Sequence, residues 1–558
     1  MNDEAQRRAL DTRYSYPAGQ VSKFFISYAT VWQVSLIALI ACLALSFRLP
    51  DLERRPMHTD EAVQAKKTGN LLEKNEYRYN PKEFHGPTIY YLTLPVLALS
   101  SVKTFAQSSE FHYRIVPVIF GSAMVLLLLL ILDAMGGLAA PSAGLMIALS
   151  PCMVFYSRYY IQEMLLAFFT LALIGCGWRW HVTRAWKWAL LGGACFGLLH
   201  ATKETFVIAV FAMAAGVAVH RGLHPRGPVA REGEHSSRWR YIGQAGAALA
   251  LAACVSLCFY SSFFANWRGV GDSILTYGNY LKRTAAENPH DKPMYYYLKL
   301  LTWNYRPGAP IWSEAFIVVL ALAGAADVFL KTPHKAQGGY EPRVVFARFL
   351  SVYTLFVTAG YSLISYKTPW CVLTMELGLI LLAGFGVAAL IRRVPHWSLK
   401  AVVAVALAGG VWHLGWQAKQ ASGRFAYDTR NPYVYAHPTQ NTVDLCKRVV
   451  ELAAVHPQRE YMLVHVIAEG SDYWPLPWYL RTLKNVGYTD KPPLGPLDAP
   501  VLIASPDFDA ELSLELKRHY QINTYGLRPE MFTHLYVDLD LWNEFMKTRR
   551  NVKPRAAQ

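Results

Sequence analysis

Charge is scarce in this chain. Asp, Glu, Lys and Arg make up only 17% of its 558 residues, too few for a freely soluble protein of ordinary surface. Cysteine supplies no scaffold either. Cys42, Cys152, Cys176, Cys195, Cys254, Cys258 and Cys371 fall within apolar runs and Cys446 in the tail, so neither a disulfide framework nor a Cys-rich metal site is expected. Acids are the minority charge, 39 against 55 Lys and Arg, for a net +16. The cations are spread over short loops rather than gathered in one basic domain, which argues against a nucleic-acid partner. Residues 1–23 have neither a short apolar core nor a small-residue cleavage site, so an uncleaved first helix is expected.

Long apolar runs are abundant: hydrophobic residues are 53% of the chain. A span needs about 20 apolar residues. Eleven runs qualify as candidates: 24–47, 115–132, 136–157, 164–178, 188–202, 205–219, 241–264, 311–330, 350–366, 370–391 and 401–418. Another run, 85–102, opens with Gly86-Pro87 and carries Thr88, Tyr90, Tyr91 and Thr93, and reads as a helix in the interface. Counting the eleven, Lys and Arg gather in alternate loops, among them Arg179, Arg184, Lys187, Arg221, Arg392 and Arg393, while the opposite loops hold mostly lone cations, Arg158, Lys203 and Lys367. That bias predicts a cytoplasmic N-terminus in a cell (inner) membrane and an extracytoplasmic C-terminus. The expected organisation is a cytoplasmic segment 1–23, an α-helical polytopic body 24–418 with an outer loop at 49–113, and a soluble α/β domain at 419–558. In that domain 461–467, 500–504 and 534–538 read as strands, and 442–455 and 509–519 as helices.

Four ionisable loci then fall on one side. They are His58-Thr59-Asp60-Glu61 with Glu83 and His85 at the far end of its loop, Tyr156 to Glu163, Thr202-Lys203-Glu204, and Ile364 to Trp370. Charges inside a bilayer are costly. Each locus has a plain structural reading: Thr59-Asp60-Glu61 as a hydroxyl-capped helix start, Arg158 as an interfacial anchor, Lys203 with Glu204 as an ion pair, Lys367 as part of an aromatic belt. Together they suit sugar transfer from a lipid phosphate: a carboxylate takes the acceptor proton and cations meet the departing phosphate.

The motifs His58 to Ala62, Phe84-His85-Gly86-Pro87, Tyr156 to Glu163, Ser365 to Trp370 and Asp472 to Arg481 resemble those of GT-C glycosyltransferases of the protein O-mannosyltransferase and aminoarabinose-transferase type. Within that superfamily the chain most resembles the flippase-activity-associated family of archaeal N-glycosylation clusters and its bacterial members. The resemblance implies a GT-C-like membrane fold and a polyprenyl-phosphate-linked sugar as donor. Membrane lipids would surround it, and the acceptor would be a protein, glycan or lipid. It implies catalytic roles for Asp60, Glu61 and Glu163, donor-phosphate contacts from Lys203, Lys367, Arg158 and Arg114, and acceptor or sugar contacts from His58, Glu83, His85, Tyr473, Trp474 and Trp478. Some relatives use a divalent metal ion, for which Glu83 and Glu163 are the candidates. The second loop ends in Gln162-Glu163 rather than in an Asp followed by Pro or Ala. The aromatic tail segment reads either as an acceptor-facing lid or as an amphipathic helix docking the tail to the membrane surface. A non-catalytic protein assisting translocation or assembly of lipid-linked glycans is the alternative function.

Overall fold

The computed structural model describes residues 28–82, 85–223, 234–285, 290–330, 342–493 and 497–549. Glu83 and residues 1–23 lie outside them. Among the described residues, seven helices are long and apolar enough to cross a bilayer, the helical segments Val31–Arg48, Glu110–Met135, Glu163–Thr183, Trp239–Tyr260, Arg343–Leu363, Pro369–Arg393 and Trp397–Ser422. The other expected spans are helical but shorter. Trp186–His200 has 15 residues and Ala315–Leu330 has 16, about 22 to 24 Å of helix against a hydrocarbon core of about 30 Å. The run at 85–102 becomes the 12-residue helix Thr88–Leu99, too short to span.

The run at 136–157 breaks in two. Ser150 takes a non-helical ψ of 123° and Pro151 starts a new helix, so Ala139–Leu149 ends where Pro151–Tyr156 begins. Opposite charges cap the two halves as their dipoles require. Arg48 donates to the carbonyls of Ala148 (2.9 Å) and Ile147 (2.6 Å) at the end of the first half. Glu314 accepts from the Cys152 amide (3.0 Å) and the Ser150 hydroxyl (2.5 Å) at the start of the second.

The C-terminal region forms a five-stranded mixed sheet of order β2-β1-β3-β5-β4, with β1 Val464–Ile467, β2 Val486–Thr489, β3 Val501–Ala504, β4 Tyr520–Arg528 and β5 Met531–Asp538. β2, β1 and β3 run parallel, and β5 pairs antiparallel with β3 and β4. The period-2 pattern divides its faces. Val464, Val466, Val501 and Ile503 pack against Leu445, Val449 and Phe545 from helices Gln440–Val455 and Leu539–Arg549, while Ile467, Leu502 and Tyr536 meet Leu512 of the short helix Asp509–Glu515.

This domain is fastened to the helical body beside loop 49–113. Trp478, fully buried, donates its indole N–H to Glu110 (2.9 Å), and Arg481 donates to the Ser108 carbonyl (2.6 Å) while lying over the Trp478 ring at 3.8 Å. Tyr479 accepts from the Met57 amide through its hydroxyl oxygen (2.7 Å).

Candidate active site

The loop leaving the first span turns into helix Thr59–Lys74 at His58. The expected hydroxyl cap is absent: the His58 Nδ1 accepts from the Asp60 amide (3.0 Å), its Nε2 donates to the Tyr435 carbonyl (3.0 Å), and Thr59 Oγ1 is buried without a partner. Successive residues on a helix point about 100° apart. Glu61 therefore turns inward as Asp60 turns outward.

Glu61 is fully buried and its two oxygens accept five hydrogen bonds. These come from Arg114 Nε and Nη2 and Arg55 Nη2 (each 2.8 Å), the Tyr160 amide (3.0 Å) and the His58 amide (3.1 Å). Burial alone would raise its pKa, but Arg114 and then Arg55 outweigh it and hold the carboxyl down at about 2. A base this well satisfied has no lone pair to offer, so the catalytic role expected of Glu61 gives way to a structural one. Arg114 is spent likewise, donating to Glu61 and to the carbonyls of Leu52, Arg55 and Pro56. Arg158 donates to the carbonyls of Arg48 (2.9 Å) and Asp51 (3.2 Å), which closes the end of the first span. Arg114 therefore has no donor left for a lipid phosphate, and Arg158 has a nitrogen at each tip of its fork on a backbone carbonyl. His58, buried as a helix cap, is likewise withdrawn from any acceptor.

Asp60 is different. Its side chain is 45% exposed, 4.0 Å from His58 Nδ1. Its charge reaches Tyr159, His290, Tyr366 and Tyr435; burial first, and then the Asp60 charge, push the three phenols above their ordinary range. Tyr366 also lies within the electrostatic reach of Lys203. One aromatic side chain thus feels both an accessible carboxylate and a buried ammonium.

Lys203 pairs with Glu163, 40 residues away in sequence, rather than with Glu204. Burial opposes its charge, yet the Glu163 carboxylate raises its pKa. The other Glu163 oxygen is buried without a partner, as is the Gln162 amide nitrogen. Glu204 holds His85 (2.9 Å) and the Tyr79 hydroxyl (3.0 Å). Gly86 explains the tight turn between them, since a Cβ there would come within 2.1 Å of the Ala201 carbonyl oxygen. Lys367 is buried, with its ammonium donating to the Ile364 and Lys292 carbonyls and its amide to His290 (3.0 Å). Residues 290–292 are thereby strapped to 365–367 through an antiparallel bridge, Asp291 to Tyr366.

Of the tail aromatics, Trp478 is closed to a sugar, while Tyr473 and Trp474 are half-buried. Trp478 is enclosed by Phe105, Tyr113 and Arg481, Tyr473 packs on Tyr488 (5.0 Å) and Trp474 lies against the loop cluster, so this segment docks the domain. His290, Tyr366 and Tyr435 were missed as neighbours of the carboxylate, because they come from three segments that only the fold brings together. Arg55 carried a faint signal: a second cation in Arg54-Arg55-Pro56, shortly after the Arg48 that ends the first span.

Among the described residues no three His, Cys, Asp or Glu side chains converge as a metal site. Glu163 is occupied by an ammonium that would repel a metal ion, and Glu83 is not described. The described residues do not fit a divalent ion, and no step below passes through one.

Residues 90–266 match the PMT family model, dolichyl-phosphate-mannose-protein mannosyltransferase. Among solved structures, ArnT from Cupriavidus metallidurans bound to undecaprenyl phosphate aligns over 90% of this chain and 98% of its own, with TM-score 0.58 and 14% identity. The Archaeoglobus fulgidus oligosaccharyltransferase in the apo form aligns over 95% of this chain and 78% of its own, with TM-score 0.55 and 11% identity. The chain has the GT-C fold. Residues matching a mannosyltransferase family model inside that fold, on a body with several helices long and apolar enough to cross a bilayer, support a membrane glycosyltransferase. No curated protein sequence matches it significantly. Contacts of Arg55 with the Arg158 carbonyl, of the Met57 amide with Tyr479 and of Lys203 with Glu163 bring the loop after the first span, residues 156–163, the C-terminal domain and Lys203 together at one end of the helical body.

Proposed function

We propose that this GT-C transferase moves a sugar from a polyprenyl phosphate to an acceptor hydroxyl or amide at the extracytoplasmic face, with Asp60 as general base. The observation that carries the reading is the division between adjacent acids: Glu61 is saturated by five donors while the Asp60 side chain is 45% exposed. In the reaction the acceptor oxygen or nitrogen attacks the anomeric carbon, its proton passes to Asp60, and the bond from that carbon to the phosphate oxygen breaks. The developing phosphate charge falls to Lys203, which exchanges its Glu163 partner for it. Lys367 acts through the strap, holding Tyr366 and residues 290–292 in place. Attack from the face opposite the phosphate inverts the anomeric centre. The undecaprenyl phosphate bound to ArnT supports a donor of this class, and the basic loops at the other end of the body support the extracytoplasmic orientation.

The test is Asp60→Asn. Asn keeps the size and helix-start compatibility of Asp but cannot take a proton. Transfer from a polyprenyl-phosphate sugar should fall by at least ~10²-fold at unchanged abundance and melting temperature. Full activity in this variant would remove Asp60 from the chemistry.

A further inference from the structure

Behind the loop that presents Asp60, four guanidiniums crowd together: Arg48, Arg55, Arg114 and Arg158. One fully buried carboxylate, Glu61, meets two of them, Arg55 and Arg114, while Arg48 and Arg158 reach only backbone carbonyls among the described residues. Asp51 lies at the surface, and Glu110 is shared with Arg481 and Trp478. Between Arg55, Arg114, Arg158 and the end of helix Trp397–Ser422 the structure leaves a cleft, floored by Phe155, in which positions open to a water-sized particle fill about 10 Å³. That is room for one small particle. Ser422 lines the cleft, and its hydroxyl oxygen is buried with no hydrogen-bond partner. A guanidinium has five N–H groups. Arg114 has committed all of its own, whereas Arg158 uses its guanidinium for two carbonyls and Arg55 for Glu61, the Arg158 carbonyl and His437. Donors therefore remain on Arg55 and Arg158. Burial, and the neighbouring guanidiniums, pull both down to about 10 despite the nearby acids, the sign of a cluster short of negative charge.

We infer that this cleft binds a monatomic anion, chloride in the cell, held by Arg55, Arg158 and the Ser422 hydroxyl. The size of the cleft selects the class of ligand: a phosphate group, with four oxygens around its phosphorus, exceeds the space. The ion supplies the charge that Glu61 alone does not, and it ties the end of helix Trp397–Ser422 to the loop carrying Asp60.

The experiment is thermal unfolding of the purified full-length protein in detergent, followed by tryptophan fluorescence, with sodium chloride, bromide or gluconate at equal ionic strength. The midpoint should climb with the logarithm of halide concentration and stay flat in gluconate. Ser422→Ala, which leaves every guanidinium contact in place, should need about tenfold more halide for the same rise; Arg158→Gln should abolish the halide response. Equal midpoints in chloride and gluconate would overturn the inference. So would an undiminished halide response in Ser422→Ala, or a larger rise with phosphate than with chloride.

Discussion

Replacing Glu61 by Gln separates the architecture of this site from its chemistry. The carboxyl titrates at about 2 in the folded protein against 4.5 as a free side chain. At about 1.4 kcal/mol for each intervening pH unit, its ionised form contributes roughly 3 kcal/mol at neutral pH. Gln keeps the shape but leaves Arg114 and Arg55 buried without a counter-charge, and breaking a buried pair in this way costs about 3 to 5 kcal/mol. The two lines of reasoning agree. The Glu61→Gln protein should therefore melt several degrees lower at pH 7, measured by tryptophan fluorescence in detergent. The sign of the pH dependence follows from the depressed pKa. The wild type holds this contribution above pH 4.5 and loses it as pH falls toward 2, whereas Gln has no such proton to gain, so the two melting curves should converge in acid. A Glu61→Gln protein as stable as wild type at pH 7, yet inactive, would refute the structural assignment and return Glu61 to catalysis.

Three further outcomes are expected. A reporter enzyme active only in the cytoplasm, fused after Gln558, should be silent, since the basic loops predict an extracytoplasmic C-terminal domain; strong activity would reverse the orientation of the site. Gly86→Ala should destabilise the protein by about 1 to 3 kcal/mol, because its Cβ meets the Ala201 carbonyl at 2.1 Å, whereas Gly246→Ala, with nothing within 4 Å, should be neutral or slightly stabilising in a melting assay. Trp478→Ala should cost about 3 to 5 kcal/mol and loosen the docking of the C-terminal domain, read as faster cleavage by limited proteolysis between residues 423 and 440.

The helices were legible because apolar runs announce themselves, and each expected run does contain a helix. Their lengths were less so: the break at Ser150-Pro151 lies inside an uninterrupted apolar stretch, and what permits it is Arg48 and Glu314, more than a hundred residues apart on either side. In the C-terminal sheet, β1, β3 and β5 showed as apolar runs. β2 is four residues with a glycine at its second position, and β4 is an edge strand with several half-buried or exposed positions, so neither carries the alternation that marks a strand. At the site, composition located the acids and cations but could not pair them. Lys203 is adjacent to Glu204 in sequence and bonded to Glu163 in space. Asp60 and Glu61 are alike in sequence, and only the helix phase makes one a partner of arginines and the other a neighbour of tyrosines. Trp478 looked like a sugar-stacking residue because an indole suits either task, and burial against Phe105 and Tyr113 decides between them.

The cradle of Glu61 draws on parts of the chain that leave the ribosome at different times. His58 and Arg55 are made with it, Arg114 follows at the head of the second long span, and the Tyr160 amide arrives only after the broken helix has been laid down. Until then Glu61 lacks most of its donors and helix Thr59–Lys74 has no fixed start. Presentation of Asp60 is thus a late event in biogenesis, conditional on later segments having entered the membrane correctly. A chain inserted in the wrong order or orientation would lack the Glu61 cradle, so the segment that carries Asp60 takes its fixed shape only in molecules whose topology is already right.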